Sequence, residues 1–488
     1  MTPLVAGGLV FFTSGSVLVL EILASRLLAP YVGVSLESYT AIIGTVLAGI
    51  AAGTWIGGYV ADRFDPRRVL GPLIVLGGGL CLAVVPFVRA VGGSTTSGGS
   101  GGVVRLALAG FFAPAAVLSA VTPTVVKLQL RDLAVTGQVV GRLSALATAG
   151  AIAGTFLAGF VLVEAVATTT SILLMGALVM TAGAAVWLWL TAAGGRVLVI
   201  VGAIAAAGAS LGAAVGDPCD VETVYHCARV ETDDDRPGGR FLVLDTLFHS
   251  YVDLDDPTHL EFRYAKVFAD VIAAATPAGP LNVLHVGGGG FTMPRYLRSV
   301  RPGSTSLVLE IDRGVVNLSR ERLGLRTGPD LQVRIGDARR FVPDLPEGGH
   351  DLVLGDAFGG LAVPWHLTTI EFAQGLDATL GPAGIYVVNV IDHPPTRFAR
   401  AEVATLLEVF EDVVVVAPQG MIDNERGGNF VLAASDSPID EERLRALIAR
   451  RGGEEVVVAG AAFAGRAPVL TDDHAPVDQW LARSRRVG

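Results

Sequence analysis

The sequence predicts a multi-pass α-helical membrane domain followed by a doubly wound α/β domain that carries a small β-hairpin cap. Three observations lead there. Hydrophobic residues make up 51% and charged residues only 17% of the 488 positions, too apolar for a chain folded wholly in water. Apolar runs of about 20 residues, the length a bilayer core demands, recur up to Gly216. Beyond Gly216 acidic residues, prolines and β-branched alternation take over, and short apolar strands alternate with helical stretches.

The spans are expected near Leu4–Ala24, Ser38–Ala61, Val69–Arg89, Val103–Val126, Val139–Val163, Thr170–Leu190 and Val197–Val215, about seven helices that make 1–216 a membrane domain. The first run has no basic region ahead of it and no small-residue cleavage signal before Arg26, so it is expected to stay as an anchor. Gly49, Gly53 and Gly57 recur at four-residue spacing, which lets helix backbones approach closely in lipid. Gly92–Gly102 is rich in Gly and Ser and reads as a flexible loop. Glu21 and Arg26 flank the end of the first span, where charge is costly enough to suggest a role for Glu21, while Arg26 either pairs with it or snorkels to the interface.

A net charge of −10 offers no basic field to attract phosphate backbones, which excludes nucleic acid as a partner. The expected partners are the lipid bilayer and a small-molecule substrate; a homo-oligomer stays open. No Cys/His cluster has zinc-ligand spacing, so no metal is expected. Cys219 and Cys227 are either a disulfide or two thiols.

In the second half, LNVLHVGGGG (Leu281–Gly290) is a buried strand running into a glycine turn, and SLVLEID (Ser306–Asp312) is the next strand. LQVRIGDA, HDLVLGDAF and GIYVVNVID follow, each apolar and ending in small or acidic residues. Such a parallel sheet binds ligands at the carboxyl ends of its strands. The backbone at Gly287, Gly288 and Gly289 can approach a nucleotide, and Glu310, about 20 residues on, stands where a carboxylate takes ribose hydroxyls. Asp337 with Ala338 is placed to read an adenine edge, and Asp356 ends the fourth strand. The segment before them, with ETVYHCARV and RFLVLDTLFHSYV as candidate strands, forms a β cap over 217–260, leaving 261–488 as the α/β domain.

VGGGG, LEID, GDAR and LGDAF, in this order and spacing, resemble the core motifs of spermidine synthases, and ETVYH and VLDTLFHS resemble the amino-terminal cap of that family. SGSVLVLEILASRLLAPYVG with GGYVADR, and the ending LTDDHAPVD, are similar to fused, membrane-bound spermidine synthase-like proteins of bacteria; GGYVADRFDPRR is also similar to a loop motif of major facilitator transporters. The resemblance implies a Rossmann-like fold of the class I methyltransferase and spermidine synthase type. It implies a polyamine aminopropyltransferase that uses decarboxylated S-adenosylmethionine as co-substrate. It makes Asp356 the general base and Tyr264 a substrate-orienting residue, with Glu310 on the ribose and Asp337 on the adenine. His226, His249, Trp365 and His366 are the expected substrate residues.

The departures concern the acceptor. Gly290 and Gly359 stand where the family carries aspartates that grip a diamine, His226 stands for a glutamine, and Ala265 and Lys266 replace a His-Glu pair. Putrescine is therefore not the expected acceptor. Loop charge, with Arg63, Arg67, Arg68, Lys127, Arg131, Arg142 and Arg196 in even-numbered loops, leans toward a soluble domain outside the cell, whereas the donor is made in the cytosol and requires the other side, which one span more or fewer would give; the side stays open. Two alternatives follow: a cofactor-free extracytoplasmic acid/base enzyme, such as a cyclase, built on Asp356, Glu310 and His249, or a transport or scaffold protein with a nucleotide-binding regulatory domain.

Overall fold

The structure, a computed structural model, describes every residue except 34, 35, 95–98, 131, 192, 193, 361 and 485–488. It divides into two compact units, Met1–Cys227 and Ala228–Gly488.

In the first unit six helices are long and apolar enough to cross a membrane: Pro3–Val32, Glu37–Arg63, Pro66–Gly92, Gly101–Gln129, Leu133–Ala165 and Thr168–Leu190. They overlie the first six expected spans. At the seventh stands the helix Gly194–Ala214, with Val199–Gly208 as its described apolar stretch. Of the expected loop Gly92–Gly102, residues 95–98 lie outside the described residues, as does Arg131 among the basic loop residues. The far end of that loop is helical from Gly99 on, because the next span recruits its glycines. The sharp turn between the second and third spans follows from Asp65 and Pro66: the Asp65 side chain accepts from the Arg67 amide at 3.0 Å, and proline at the first helical position has no amide to lose.

The small residues do bring backbones together. A Cβ built at Gly53 would fall 1.9 Å from the Ala116 carbonyl oxygen, so the helices Glu37–Arg63 and Gly101–Gln129 touch through their main chains. Gly53→Val is therefore expected to destabilise the protein in detergent by about 1–3 kcal/mol or more. Gly58→Val, five residues on and with nothing within 4 Å of its Cβ, serves as the neutral control in the same thermal-unfolding series.

The end of the unit is pinned by polar contacts. Arg26 donates to the carbonyl oxygens of Thr223 and Val224 and to Thr168 Oγ1 at 3.3 Å. Arg89 pairs with Asp217 at 2.7 Å, and the Thr169 amide donates to Glu222 at 2.9 Å, within the two-residue strand β1 (Val221–Glu222). Cys219 and Cys227 form a disulfide, which settles their state. Glu21 keeps one buried carboxylate oxygen, Oε2, without a hydrogen bond among the described residues.

The second unit opens on β2 (Cys227–Thr232), β3 (Gly239–Leu244) and β4 (Leu247–Asp253), an antiparallel cap. The run RFLVLDTLFHSYV, expected as one strand, is a hairpin. It reverses at Asp245, whose φ of 55° lies in the left-handed region that Asp tolerates better than most residues. An eight-stranded sheet follows: β5 (Asn282–Val286), β6 (Thr305–Glu310), β7 (Leu331–Ile335), β8 (His350–Gly355), β9 (Leu380–Asp392), β10 (Asp412–Pro418), β11 (Gly428–Ser435) and β12 (Glu455–Ala459), in the order β12-β10-β11-β9-β8-β5-β6-β7. From β7 to β9 the strands are parallel, as expected, and β11, β10 and β12 add antiparallel.

Consecutive residues face opposite sides of this sheet. Leu284, Val353, Val415 and Leu432 pack on one side, and Val283, Leu352, Val414 and Val431 on the other. Helices cover both faces, which is why these strands read as continuous apolar runs. Chain order reverses at β5, flanked by β6 and β8, so a crevice opens at the carboxyl ends of those three strands.

Candidate active site

Asp356 follows directly on β8. Its amide donates to the Val286 carbonyl at 2.9 Å, which draws the end of β8 against the glycine turn after β5. Gly287 is required there: its φ is 96°, and a Cβ would lie 2.6 Å from the Asp356 carbonyl oxygen. The Tyr264 hydroxyl, on the helix Arg263–Ala275, donates to Asp356 Oδ2 at 2.9 Å. Asn389 Nδ2 donates to Oδ1 at 3.0 Å, and Asn429 Nδ2 donates in turn to Asn389 Oδ1, also at 3.0 Å. Because Asn429 occupies the Asn389 oxygen, Asn389 can present only its NH2 to Asp356, so both carboxylate oxygens receive donors.

Burial pushes the Asp356 carboxyl up to about 6, although the bonds from Asn389 and Tyr264 pull it back toward the ordinary range. The Tyr264 hydroxyl is held well above its ordinary value, first by burial and then by the Asp356 charge. A carboxylate that titrates near neutrality, with its orientation fixed on both oxygens, is suited to take a proton from an amine.

A cavity of about 380 Å³ opens over this group, lined among others by Phe248, His249, Phe262, Tyr264, Phe358 and Asn429. Among its described lining residues Asp356 is the one carboxylate; Gly288 and Gly289 form the wall toward the glycine turn. The cap reaches this turn through Ser250 on β4, whose Oγ accepts from the Gly290 amide at 2.9 Å, and through Thr292, whose hydroxyl donates to the Tyr251 carbonyl at 2.8 Å.

Glu310 ends β6 beside this wall. Its Oε2 accepts from the Gly288 and Gly289 amides at 2.8 and 3.2 Å, and its Oε1 from the Asp312 amide at 2.9 Å. Burial raises its carboxyl and the three amides partly offset the rise. Asp337, after β7, caps the short helix Ala338–Phe341 through the Arg339 amide at 2.9 Å and faces His366 Nε2 at 3.2 Å. Arg339 is tied to Asp472, and Asp472 accepts from Thr369 Oγ1 at 2.7 Å, so LTDDHAPVD closes on the Asp337 side.

The three acids thus sit at the carboxyl ends of β8, β6 and β7 with different surroundings: Asp356 lines the cavity, Glu310 holds the glycine turn, and Asp337 holds a helix start and a histidine. Trp365 is stacked edge-on against His366 with centroids 5.7 Å apart, which groups both with Asp337 rather than with the lining of the cavity. His249 lines the cavity. His226 belongs to the other unit, where it lines a small cleft with Arg26 and Glu222.

Asn389 and Asn429 were missed from sequence. Asn389 carried a signal, a single amide inside the apolar run YVVNVID; Asn429 carried none, because its place depends on β11 lying against β9.

No family model matches the chain. It is 27% identical to a polyamine aminopropyltransferase of Chromobacterium violaceum over 190 residues, 39% of this chain and 69% of that relative. It is also 27% identical to a polyamine aminopropyltransferase of Vibrio vulnificus over 168 residues, 34% of this chain and 54% of that relative. Among solved structures, a probable spermidine synthase from Corynebacterium glutamicum is 31% identical, with 52% of this chain and 95% of that chain covered and a TM-score of 0.49. The chain therefore spans 69% and 54% of the length of these two curated relatives.

Proposed function

Because this chain belongs to the spermidine synthase-like family, we propose that it is a membrane-bound aminopropyltransferase in which Asp356 is the general base and the acceptor is not putrescine. The observation that carries the reading is the Asp356 carboxyl, raised to about 6 and held by Tyr264 and Asn389 at the base of a cavity. A protonated acceptor amine has no lone pair, so Asp356 removes its proton. The freed nitrogen then forms a bond to the propyl carbon beside the sulfonium of a decarboxylated S-adenosylmethionine-type donor. The carbon–sulfur bond breaks with its electron pair going to sulfur, which leaves neutral methylthioadenosine.

Glu310 pre-orders the glycine turn against which the nucleoside would rest, and it offers the ribose a carboxylate at the cost of the bonds it accepts from the Gly288 and Gly289 amides. Asp337 and Ala338 stand beside it on the adenine side. His249 and the aromatic lining face the acceptor. With Gly290 and Gly359 in place of acids, a second ammonium close to Asp356 finds no other carboxylate among the described residues of this cavity. The test is methylthioadenosine release by the full-length protein in detergent, with the donor and a panel of amines. Release with at least one amine and none above background with putrescine is the expected result; putrescine turnover at a rate usual for enzymes refutes the acceptor assignment.

One observation favours a second reading. The Cys219–Cys227 disulfide is typical of an oxidising compartment, and with the loop charges it argues for an extracytoplasmic site, out of reach of a cytosolic donor. There Asp356 and His249 would work as a cofactor-free acid/base pair. Calorimetry separates the two: micromolar binding of methylthioadenosine supports transfer, and no heat supports the second reading.

A further inference from the structure

A second cavity, of about 300 Å³, adjoins the first through Arg263, Tyr264 and Asn429, which line both. Its lining adds the apolar side chains of Val267, Val416, Met421 and Val431. The same lining carries Glu455, at the start of β12, whose side chain is only 2% exposed. Glu455 Oε1 has no hydrogen-bond partner among the described residues, an expensive state for a buried carboxylate.

The charges around Glu455 leave it undersupplied. Arg451 pairs with Glu455 Oε2 at 2.8 Å but also with the buried Asp270, so one guanidinium serves two carboxylates. Arg263 stands 3.7 Å from Glu455 Oε1 and 3.6 Å from Glu454, within ion-pair range and without a hydrogen bond, and its side chain is 53% exposed. It can leave at little cost. Arg426, the other cation of the lining, is exposed.

We propose that this second cavity is the distal half of the acceptor site, and that Glu455 receives the far ammonium of a linear triamine or longer polyamine, with Arg263 holding that place until the ligand arrives. The proposal rests on the transfer reading for calling this amine the acceptor. A short diamine with one nitrogen at Asp356 stays in the first cavity, where no second carboxylate waits. A longer chain passes Tyr264 and Asn429, lays its methylenes along the valines and Met421, and brings a cation to Glu455 Oε1. The missing acids at positions 290 and 359 and the spare acid at 455 then have one explanation: the second anchor has moved outward.

The test is calorimetry on the full-length protein in detergent without donor, with spermidine as the triamine probe and putrescine as the diamine. Spermidine is expected to bind roughly tenfold or more tightly, the scale of one hydrogen bond to a charged group. Glu455→Gln is expected to erase that preference. Arg263→Ala, a change at an exposed side chain, is expected to raise spermidine affinity severalfold by removing the competing cation. Equal binding of the two amines, a preference that survives Glu455→Gln, or weaker spermidine binding in Arg263→Ala would each overturn the proposal. If Glu455→Gln does not fold, the sign of the Arg263→Ala effect decides. A triamine preference that depends on Glu455, without methylthioadenosine release in the transfer assay, would leave the subsite standing and remove the transfer reading.

Discussion

Asp356→Asn is expected to lower turnover by about 10²–10⁴-fold, the usual contribution of a positioned general base. The isosteric amide keeps the shape of the site but cannot take a proton. In the unsubstituted protein the rate is expected to rise with pH through about 6, where the Asp356 carboxyl ionises, and then to level; the variant should lack that limb. The stability sign is opposite. A carboxyl whose folded pKa is raised binds its proton more tightly in the native than in the unfolded state, so stability falls as pH climbs from the ordinary range near 3.8 through about 6, and the cost is fully present above that. Asp356→Asn is therefore expected to unfold no earlier than the parent at pH 8. Loss of activity together with early unfolding would point to a structural role, and retention of a tenth or more of the activity would remove Asp356 as the base.

Arg451→Met is expected to be the most damaging single change in the α/β unit, at about 3–5 kcal/mol, because it strips the shared partner from two buried carboxylates at once. The effect should be local. Hydrogen exchange is expected to accelerate in the helix Arg263–Ala275, which carries Asp270, and in β12, which starts at Glu455, while β5 and β6 on the far side of the sheet keep their protection. Adding Asp270→Asn and Glu455→Gln to Arg451→Met should restore much of the loss, since neutral amides no longer need the guanidinium. Unchanged exchange in the single variant would show that these carboxylates find other partners.

Each element legible in advance had a local cause. The strand beginning at Asn282 and its glycine turn were visible because the apolar run and the glycines are contiguous, and Glu310 and Asp356 because each closes its own strand. The hairpin at Asp245 was hidden inside an unbroken apolar alternation, since the left-handed turn residue there is an Asp followed by Thr rather than a glycine pair. The antiparallel strands β10 to β12 carry no motif, so neither Asn429 nor Glu455 could be assigned to a site.

The sequence by itself determined that the first half carries apolar runs long enough to cross a bilayer, that an α/β sheet with parallel strands follows, and which acids end those strands, because composition, periodicity and strand-end chemistry are properties of neighbouring residues. Only the tertiary structure decided what those acids do. Glu310 turned to backbone amides, Asp337 met His366, and Asp356 was caught between a tyrosine from a preceding helix and an asparagine from the next strand. These pairings join residues up to 92 positions apart, and the desolvation that raises Asp356 comes from the whole set of surrounding elements rather than from its neighbours in the chain.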